Sequence, residues 1–416
     1  MRRFGSLVAA WCVLWSANAF GALSGPTRVT IDADGVLLVN GSKVFPIALT
    51  MAPAAEAKSP DGRNALVALH ADGISFIRSG PTKGAWDNAA VEAEVRYEEA
   101  AARAGIYCMP FLRELGSAAP KQQGRAEALR KLVDRLKNNP GLGVWKGADE
   151  PEWGKLPVES LGRARRTIHE ADPNHPIWIV QAPRGTIETL RPYDPTYDIL
   201  GCDIYPISYP PGTHSLKPNK EMSMVGDYTQ EMRAIAGPKP VWMTLQIAWS
   251  GVVKPGKTLR MPTFPQQRFM TYQAIINGAR GLVYFGGNLP QAWTPRDTEL
   301  GWNWSFWERV LGPVIAEIGP HGPLAQALVA PDSKVKLAVE GGSGIEFLVR
   351  ETGNDVYVLA CKREGETVHV KFTGLPALNS TGEVLFESPR TVTVESGAFS
   401  DWFAPFDVHV YKFRRK

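Results

Sequence analysis

Gly73-Ile74-Ser75-Phe76-Ile77-Arg78 is followed by an Ala- and Glu-rich stretch, Asn88 to Ala104, which stops at Gly105 and gives way to Ile106-Tyr107-Cys108-Met109-Pro110-Phe111-Leu112. The outer segments are short apolar runs of strand length. The middle one has helical periodicity, and Gly105 falls where a helix C-terminus takes glycine. Strand, helix, strand in that order is a crossover unit, and crossover units lay their strands parallel.

The same unit recurs on both sides. Upstream, Phe45 to Met51 reads as a first strand. Downstream, Arg125 to Lys137 is a helix closed by Asn138-Asn139-Pro140, and Val144 to Ala148 is a fourth strand. Strands at Pro176–Gln181, Ile199–Ile204, Val241–Ile247 and Gly281–Phe285 follow. Helices at Val158–Ala171, Thr186–Leu190, Glu221–Ala236, Pro265–Asn277 and Trp302–Ile318 separate and close them. Eight such units in roughly 275 residues have the size of a closed (β/α)₈ TIM barrel. An open doubly wound sheet would carry a glycine-rich phosphate turn after its first strand, and Phe45 to Ala55 has none.

The flanks differ. Val29 to Gly41 reads as a β-hairpin turning at Asp34-Gly35, with a second turn at Asn40-Gly41, suited to capping the barrel floor. Beyond Pro320 come short alternating runs, Val335–Val339, Ile345–Val349, Val356–Ala360, Thr367–Phe372 and Val408–Tyr411, which read as a small antiparallel β-sandwich. At the other end, Met1-Arg2-Arg3, the apolar run Leu7–Trp15 and Ala17-Asn18-Ala19 have the order of a secretory signal. The expected division is a signal peptide over 1–19, a barrel with its hairpin over 20–320, and a sandwich over 321–416. The mature protein is expected to be secreted or periplasmic, without a membrane span, since the leader's apolar run is far shorter than a span needs.

Composition narrows the function. With 44% hydrophobic and 21% charged residues among 416, the chain is globular. Its net charge of +4 owes two charges to Arg2 and Arg3 and three to the Arg414-Arg415-Lys416 end, so no basic face for nucleic acid is implied. Seven histidines without close pairs, four widely spaced cysteines and no Asp-x-Asp-x-Asp-Gly run give neither a metal site nor a disulfide framework. No cofactor is expected.

A barrel of this kind keeps its active site at the C-terminal ends of its strands. Arg78 follows strand two. Asp149, Glu150 and Glu152 follow strand four. Gln181 and Arg184 follow strand five, Asp203 and Tyr205 end strand six, and Gln246 and Trp249 end strand seven. Acids, amides and aromatics together suit a ligand with many hydroxyls, an oligo- or polysaccharide. The sharpest segment is Val144-Trp145-Lys146-Gly147-Ala148-Asp149-Glu150-Pro151-Glu152-Trp153, a strand running straight into three carboxylates. Crowded carboxylates repel one another, so one tends to keep its proton, and a protonated carboxyl is what a glycosidic leaving group requires. Trp145, Trp153, Trp242, Trp249 and Trp293 fall near strand ends or top loops. Of these, Trp249 and Trp293 are candidates for stacking on sugar rings, while Trp302, Trp304 and Trp307, at helical spacing, read as packing.

Asp149-Glu150-Pro151 resembles the Asn-Glu-Pro motif that closes strand four in the clan A (β/α)₈ glycoside hydrolases. Ile77-Arg78 is similar to that clan's strand-two arginine, Asp203-Ile204-Tyr205-Pro206 to its strand-six segment, and Asn277 to Tyr284 to the stretch leading into strand eight. The resemblance covers about residues 29 to 320 and implies that Glu150 is the general acid/base, with Arg78 and Tyr205 contacting substrate. One position departs. The clan's nucleophile is a glutamate ending strand seven, and here Gln246 stands there. An amide cannot be that nucleophile. Three readings remain open: substrate assistance by a 2-acetamido group steered by Asp149, with Gln246 holding a substrate group; Asp203 acting as nucleophile or base; or a non-catalytic glycan-binding protein on a degenerate hydrolase barrel.

Overall fold

A computed structural model describes residues 22–117, 123–247, 253–254, 257–285, 294–376 and 381–415. The apolar runs form eight strands: β1 (Ile47–Leu49), β2 (Phe76–Ser79), β3 (Tyr107–Pro110), β4 (Trp145–Asp149), β5 (Ile177–Gln181), β6 (Ile199–Ile204), β7 (Val241–Gln246) and β8 (Gly281–Phe285). They make one sheet in the order β3-β2-β1-β8-β7-β6-β5-β4. All its pairings are parallel. Parallel bridges from Cys108 to Leu142 and from Phe111 to Lys146 join its two edges, so the fold is a TIM barrel. The leader segment 1–19 lies outside the described residues.

The barrel floor is filled by three large rings, Phe76, Trp178 and Trp242, with centroids about 6 Å apart. The N-terminal strands Val29–Ile31, Leu37–Val39 and Ser42–Val44 form a meander whose Val29, Leu37 and Val39 close that floor from below. Two indoles fit inside an eight-stranded barrel only where neighbouring strands give up their side chains. A Cβ on Gly201 of β6 would lie 2.6 Å from Trp178 Nε1, and one on Gly281 of β8 would lie 2.8 Å from the Trp242 ring. Gly201→Ala and Gly281→Ala are therefore expected to cost about 1–3 kcal/mol each through overpacking. Urea-unfolding midpoints check this; unchanged midpoints in both variants would mean that the indoles are not lodged there.

The sandwich packs a three-stranded sheet (Ala338–Glu340, Val368–Thr373, Ala398–Phe403) on a five-stranded one (Ile345–Thr352, Asp355–Lys362, Val408–Arg414, Thr381–Leu385, Arg390–Thr393). The strand Asp355–Lys362 explains why the sequence there is apolar without alternation. Its Val356, Val358 and Ala360 face the second sheet, while Tyr357, Leu359 and Cys361 join the barrel's core. The barrel helix Phe264–Ile276 is sealed in the same way, buried at every position from Gln267 to Ile276, and Arg268 of that helix donates to the Val408 carbonyl and to Glu317. The closing helix, expected to be continuous, is broken into Trp304–Phe306, a π turn Trp307–Leu311 and Gly312–Ile318. Pro313 has no N–H to offer the Arg309 carbonyl, and the turn before it widens so that Gly312 N–H reaches Trp307 O. Trp302, Trp304 and Trp307 are buried against one another as packing.

Candidate active site

Strand alternation would send Asp149 and Glu150 to opposite faces. Two local features prevent it. The β4–β5 register slips between Lys146 and Asp149, and Glu150 sits in the left-handed region at φ 45°. A bulge followed by a left-handed residue turns both carboxyls toward the barrel mouth, and a non-glycine residue held there costs on the order of 1–3 kcal/mol, as backbone strain at functional sites does. The turn is pinned from three sides: Glu150 N–H donates to Val180 O (2.7 Å), Gly154 N–H to Glu150 O (2.8 Å), and Glu152 N–H to the buried Gln181 Oε1 (3.3 Å).

The two neighbouring carboxyls have opposite electrostatics. The surrounding protein works against ionisation of Asp149, although its side chain is 47% exposed at the mouth; Lys146 Nζ, 3.0 Å away, outweighs that effect together with the charge of Arg78, and Asp149 is held below the usual carboxylate range. Lys146 is itself buried inside the barrel, its ammonium lying over the Phe111 and Trp178 rings at 4.9 and 5.0 Å. Glu150 is raised, by burial first and by the charge of Asp149 second; a hydrogen bond from Asp203 and the charges of Arg184 and Lys146 pull the other way. Asp203, at the end of β6 and 8% exposed, is raised well above its ordinary range by burial and by Glu150 and Asp149. Both Glu150 and Asp203 are thus shifted toward their protonated forms, and crowding of the two carboxyls favours keeping one proton between them.

Around Asp203 stands a small aromatic stack. Tyr205 hydrogen-bonds Asp203, and its ring lies between His214 (centroids 4.4 Å apart, 26°) and Phe285 (5.3 Å, 25°). His214 Nε2 is 3.9 Å from Asp203 Oδ2. Glu150, Asp203 and His214 bring ligand atoms within 4.8 Å of one another, the one such grouping among the described residues with the spacing to hold a cation. The sequence reading did not single out His214. It is one histidine in a Pro-Gly-Thr loop, and only the path of that loop brings it onto Tyr205. Lys146 was also overlooked, as a charge inside an otherwise apolar strand.

Gln246 requires a correction. The expectation that its amide holds a substrate group fails because both its N–H groups and its oxygen are engaged with backbone and the side chain is buried. Its Oε1 accepts from Ile207 N–H (3.0 Å), and its Nε2 donates to Ile207 O (3.0 Å) and Arg260 O (2.6 Å). The side chain is 0% exposed. It ties the segment after β6 to the segment after β7, which also pair as short strands through Ser208–Tyr209 and Lys257–Leu259. A carboxylate could accept from Ile207 but could not donate to two carbonyls. Gln246→Glu is expected to lose about 1–3 kcal/mol for each buried group left unsatisfied, and to gain no hydrolytic rate. Denaturant unfolding and activity measured side by side test this, and a glutamate variant of undiminished stability and higher turnover would restore the nucleophile reading of this position.

The other expected residues divide. Arg78 lies near the end of β2 with its guanidinium over the Phe111 ring (5.5 Å) and acts on Asp149. Tyr205 is buried against Asp203 rather than open to the mouth. Trp145 and Trp242, expected near the rim, are core residues: Trp145 Nε1 donates to buried Asp172 Oδ2 (2.8 Å), and Trp242 packs on the floor. Trp153 is 54% exposed on the turn carrying Glu150, with the Arg184 guanidinium over its ring at 4.4 Å. Trp249 and Trp293 lie outside the described residues.

No protein-family model matches the chain, and no curated protein sequence matches it. Solved structures with the same fold include glycoside hydrolases. A family 5 glycoside hydrolase from Bacteroides vulgatus is 13% identical with a TM-score of 0.63, covering 93% of this chain and 93% of its own. A chain described as a glycoside hydrolase is 15% identical, with a TM-score of 0.58 over 94% of this chain and 97% of its own. An α-amylase from Geobacillus thermoleovorans, complexed with acarbose, is 11% identical, with a TM-score of 0.55 over 89% and 98%. At such identities the likeness establishes the fold. No helix among the described residues is long and apolar enough to cross a membrane.

Proposed function

We propose that this chain hydrolyses an O-glycosidic bond of a glycan outside the cytoplasm, with Glu150 as general acid/base. The observation that carries the reading is the split between two adjacent carboxyls at the mouth, Asp149 held ionised and Glu150 held toward its protonated form. Groups whose environments push their pKa values apart are how one site supplies acid and base together. Glu150 gives its proton to the leaving oxygen as the glycosidic bond breaks, water adds at the anomeric carbon, and the proton released by that water returns to Glu150. Asp149, ionised, faces the positive charge that develops on the sugar or orients the group that attacks it. Asp203 keeps a proton available to Glu150. Glu150 and Asp203 bring carboxyl oxygens within 4.8 Å of each other, closer than the about 6.5–9.5 Å of an inverting acid–base pair, which supports proton sharing over such a pair between them.

The fold likeness to glycoside hydrolases supports this as analogy only. Export rests on the signal-like order of residues 1–19. A second reading, a glycan-binding protein without turnover, is favoured by one observation: Gln246 ends β7 and its buried amide is bonded to backbone through both its nitrogen and its oxygen. Reducing-sugar release from neutral, acidic and N-acetylated polysaccharides, wild type beside Glu150→Gln, separates the two. Cleavage by the wild type that the variant loses supports hydrolysis, and binding without cleavage by either supports the second reading.

A further inference from the structure

Arg184 is placed unlike the other cations of the mouth. Lys146 and Arg78 both act on Asp149. Arg184, on the segment after β5, forms no ion pair with a carboxylate of the described residues. Its guanidinium carbon instead lies over the exposed Trp153 indole, 4.4 Å from the ring centroid, and its charge is felt by Glu150. A guanidinium stacked on an aromatic face keeps its in-plane N–H groups free for a bidentate anion. Arg184 also lines a cavity of about 640 Å³ between the segments after β5 and β6. The acids of that cavity are already answered: Glu231 by Lys217, Asp227 by Arg363, and Glu188 by Thr186 and Arg191.

We propose that the glycan bound beside Glu150 carries an anionic substituent, a carboxylate or a sulfate ester, and that Arg184, braced on Trp153, is its receptor. This deepens the hydrolase reading and rests on it for the orientation of the sugar toward Glu150. The logic is one of balance. An unanswered arginine beside an acid that must stay protonated works against that acid, because its charge favours the ionised form. An anionic ligand group neutralises Arg184 when substrate is present, so Glu150 regains its proton affinity when it is needed. The open face of Trp153 offers a flat apolar surface to the same sugar unit.

The test reads binding, so it does not depend on turnover. In a Glu150→Gln background, calorimetry would compare oligogalacturonates with their carboxyl-reduced forms, and chondroitin sulfate oligosaccharides with their desulfated forms, at low and high salt. The expected result is that one charged glycan binds about tenfold or more tightly than its uncharged counterpart. That preference should fall away in Arg184→Gln and persist in part in Arg184→Lys, with unchanged circular dichroism in both variants. The two pairs tell a carboxylate from a sulfate. The proposal is overturned if charged and uncharged forms bind alike, if none binds, or if Arg184→Gln keeps the preference. It is also overturned if Arg184→Gln in the otherwise wild-type chain moves only the pH profile of cleavage, because Arg184 would then serve Glu150 alone. Neutral glycans cleaved without charge preference would sink this proposal and leave the hydrolase reading standing. Charge-selective binding without cleavage would do the reverse.

Discussion

Replacing Glu150 with glutamine is expected to lower kcat/KM on the wild type's own substrate by about 10²–10⁴-fold, the range that a positioned general acid supplies. Glutamine keeps the shape and hydrogen-bonding reach of the side chain, so the turn held by Val180, Gly154 and Gln181 should stay intact and the unfolding midpoint should move little. The loss should depend on the leaving group. A glycosyl fluoride departs without needing a proton, so its cleavage should fall far less than that of a natural glycoside. An equal loss on both substrates would assign Glu150 to binding rather than to proton donation. An undiminished rate on the natural glycoside would remove it from the mechanism and leave Asp149 or Asp203 as the acid. Asp149→Asn should also be slow, but on both substrates alike, because an ionised carboxylate facing the sugar is needed however the leaving group departs.

The sequence announced the barrel more clearly than the site, and the reason is physical. Parallel strands buried on both faces read as unbroken apolar runs, and the helices between them carry their own period, so the order of units from Phe45 to Ile318 could be read without knowing any contact. The strand-four acids were visible for the same reason, being charges placed directly after such a run. What decides their chemistry was not visible. That Asp149 and Glu150 both face the mouth depends on a slipped register and a left-handed residue, neither of which has a local signature here. The roles of His214 and Lys146 depend on partners far away in the chain. Gln246 shows the opposite failure. The resemblance led us to expect a nucleophile at its position, and the mismatch of residue type invited a substrate role. The geometry gives it a different task, since only a side chain that both donates and accepts can tie Ile207 to Arg260. In the sandwich, strands Thr381–Leu385, Arg390–Thr393 and Ala398–Phe403 were missed because they are short and interrupted by exposed polar residues.

Asp203→Asn is expected to raise stability at neutral pH while moving activity toward acid. Asp203 in the folded protein holds its proton far above the pH at which the unfolded chain releases it, near the ordinary 3.8. Below that pH both states are protonated and the group has no effect. As pH rises past it, the unfolded chain ionises while the folded one does not, so the unfolded state gains and stability falls by about 1.4 kcal/mol per pH unit until the folded group also titrates. Asparagine has nearly the same shape, can donate to Glu150 in place of the shared proton, and carries no such penalty. The stability difference between variant and wild type should therefore be small near pH 4 and grow toward neutrality. Glu94, pushed up to about 7 by burial, contributes the same slope to both proteins and cancels in the comparison. The activity should move in the opposite sense. In the wild type the carboxyl pair keeps one proton above the ordinary carboxylate range. In the variant only Glu150 can carry it, and a permanent donor beside it favours its ionised form. The alkaline limb of the pH–rate profile should move down by on the order of one to two pH units. Thermal unfolding at several pH values and a pH–rate profile of the same preparations decide the matter. A variant less stable at pH 7 than at pH 4, relative to wild type, would mean that Asp203 is ionised in the folded protein. The proton on which the acid role of Glu150 depends would then have to come from elsewhere.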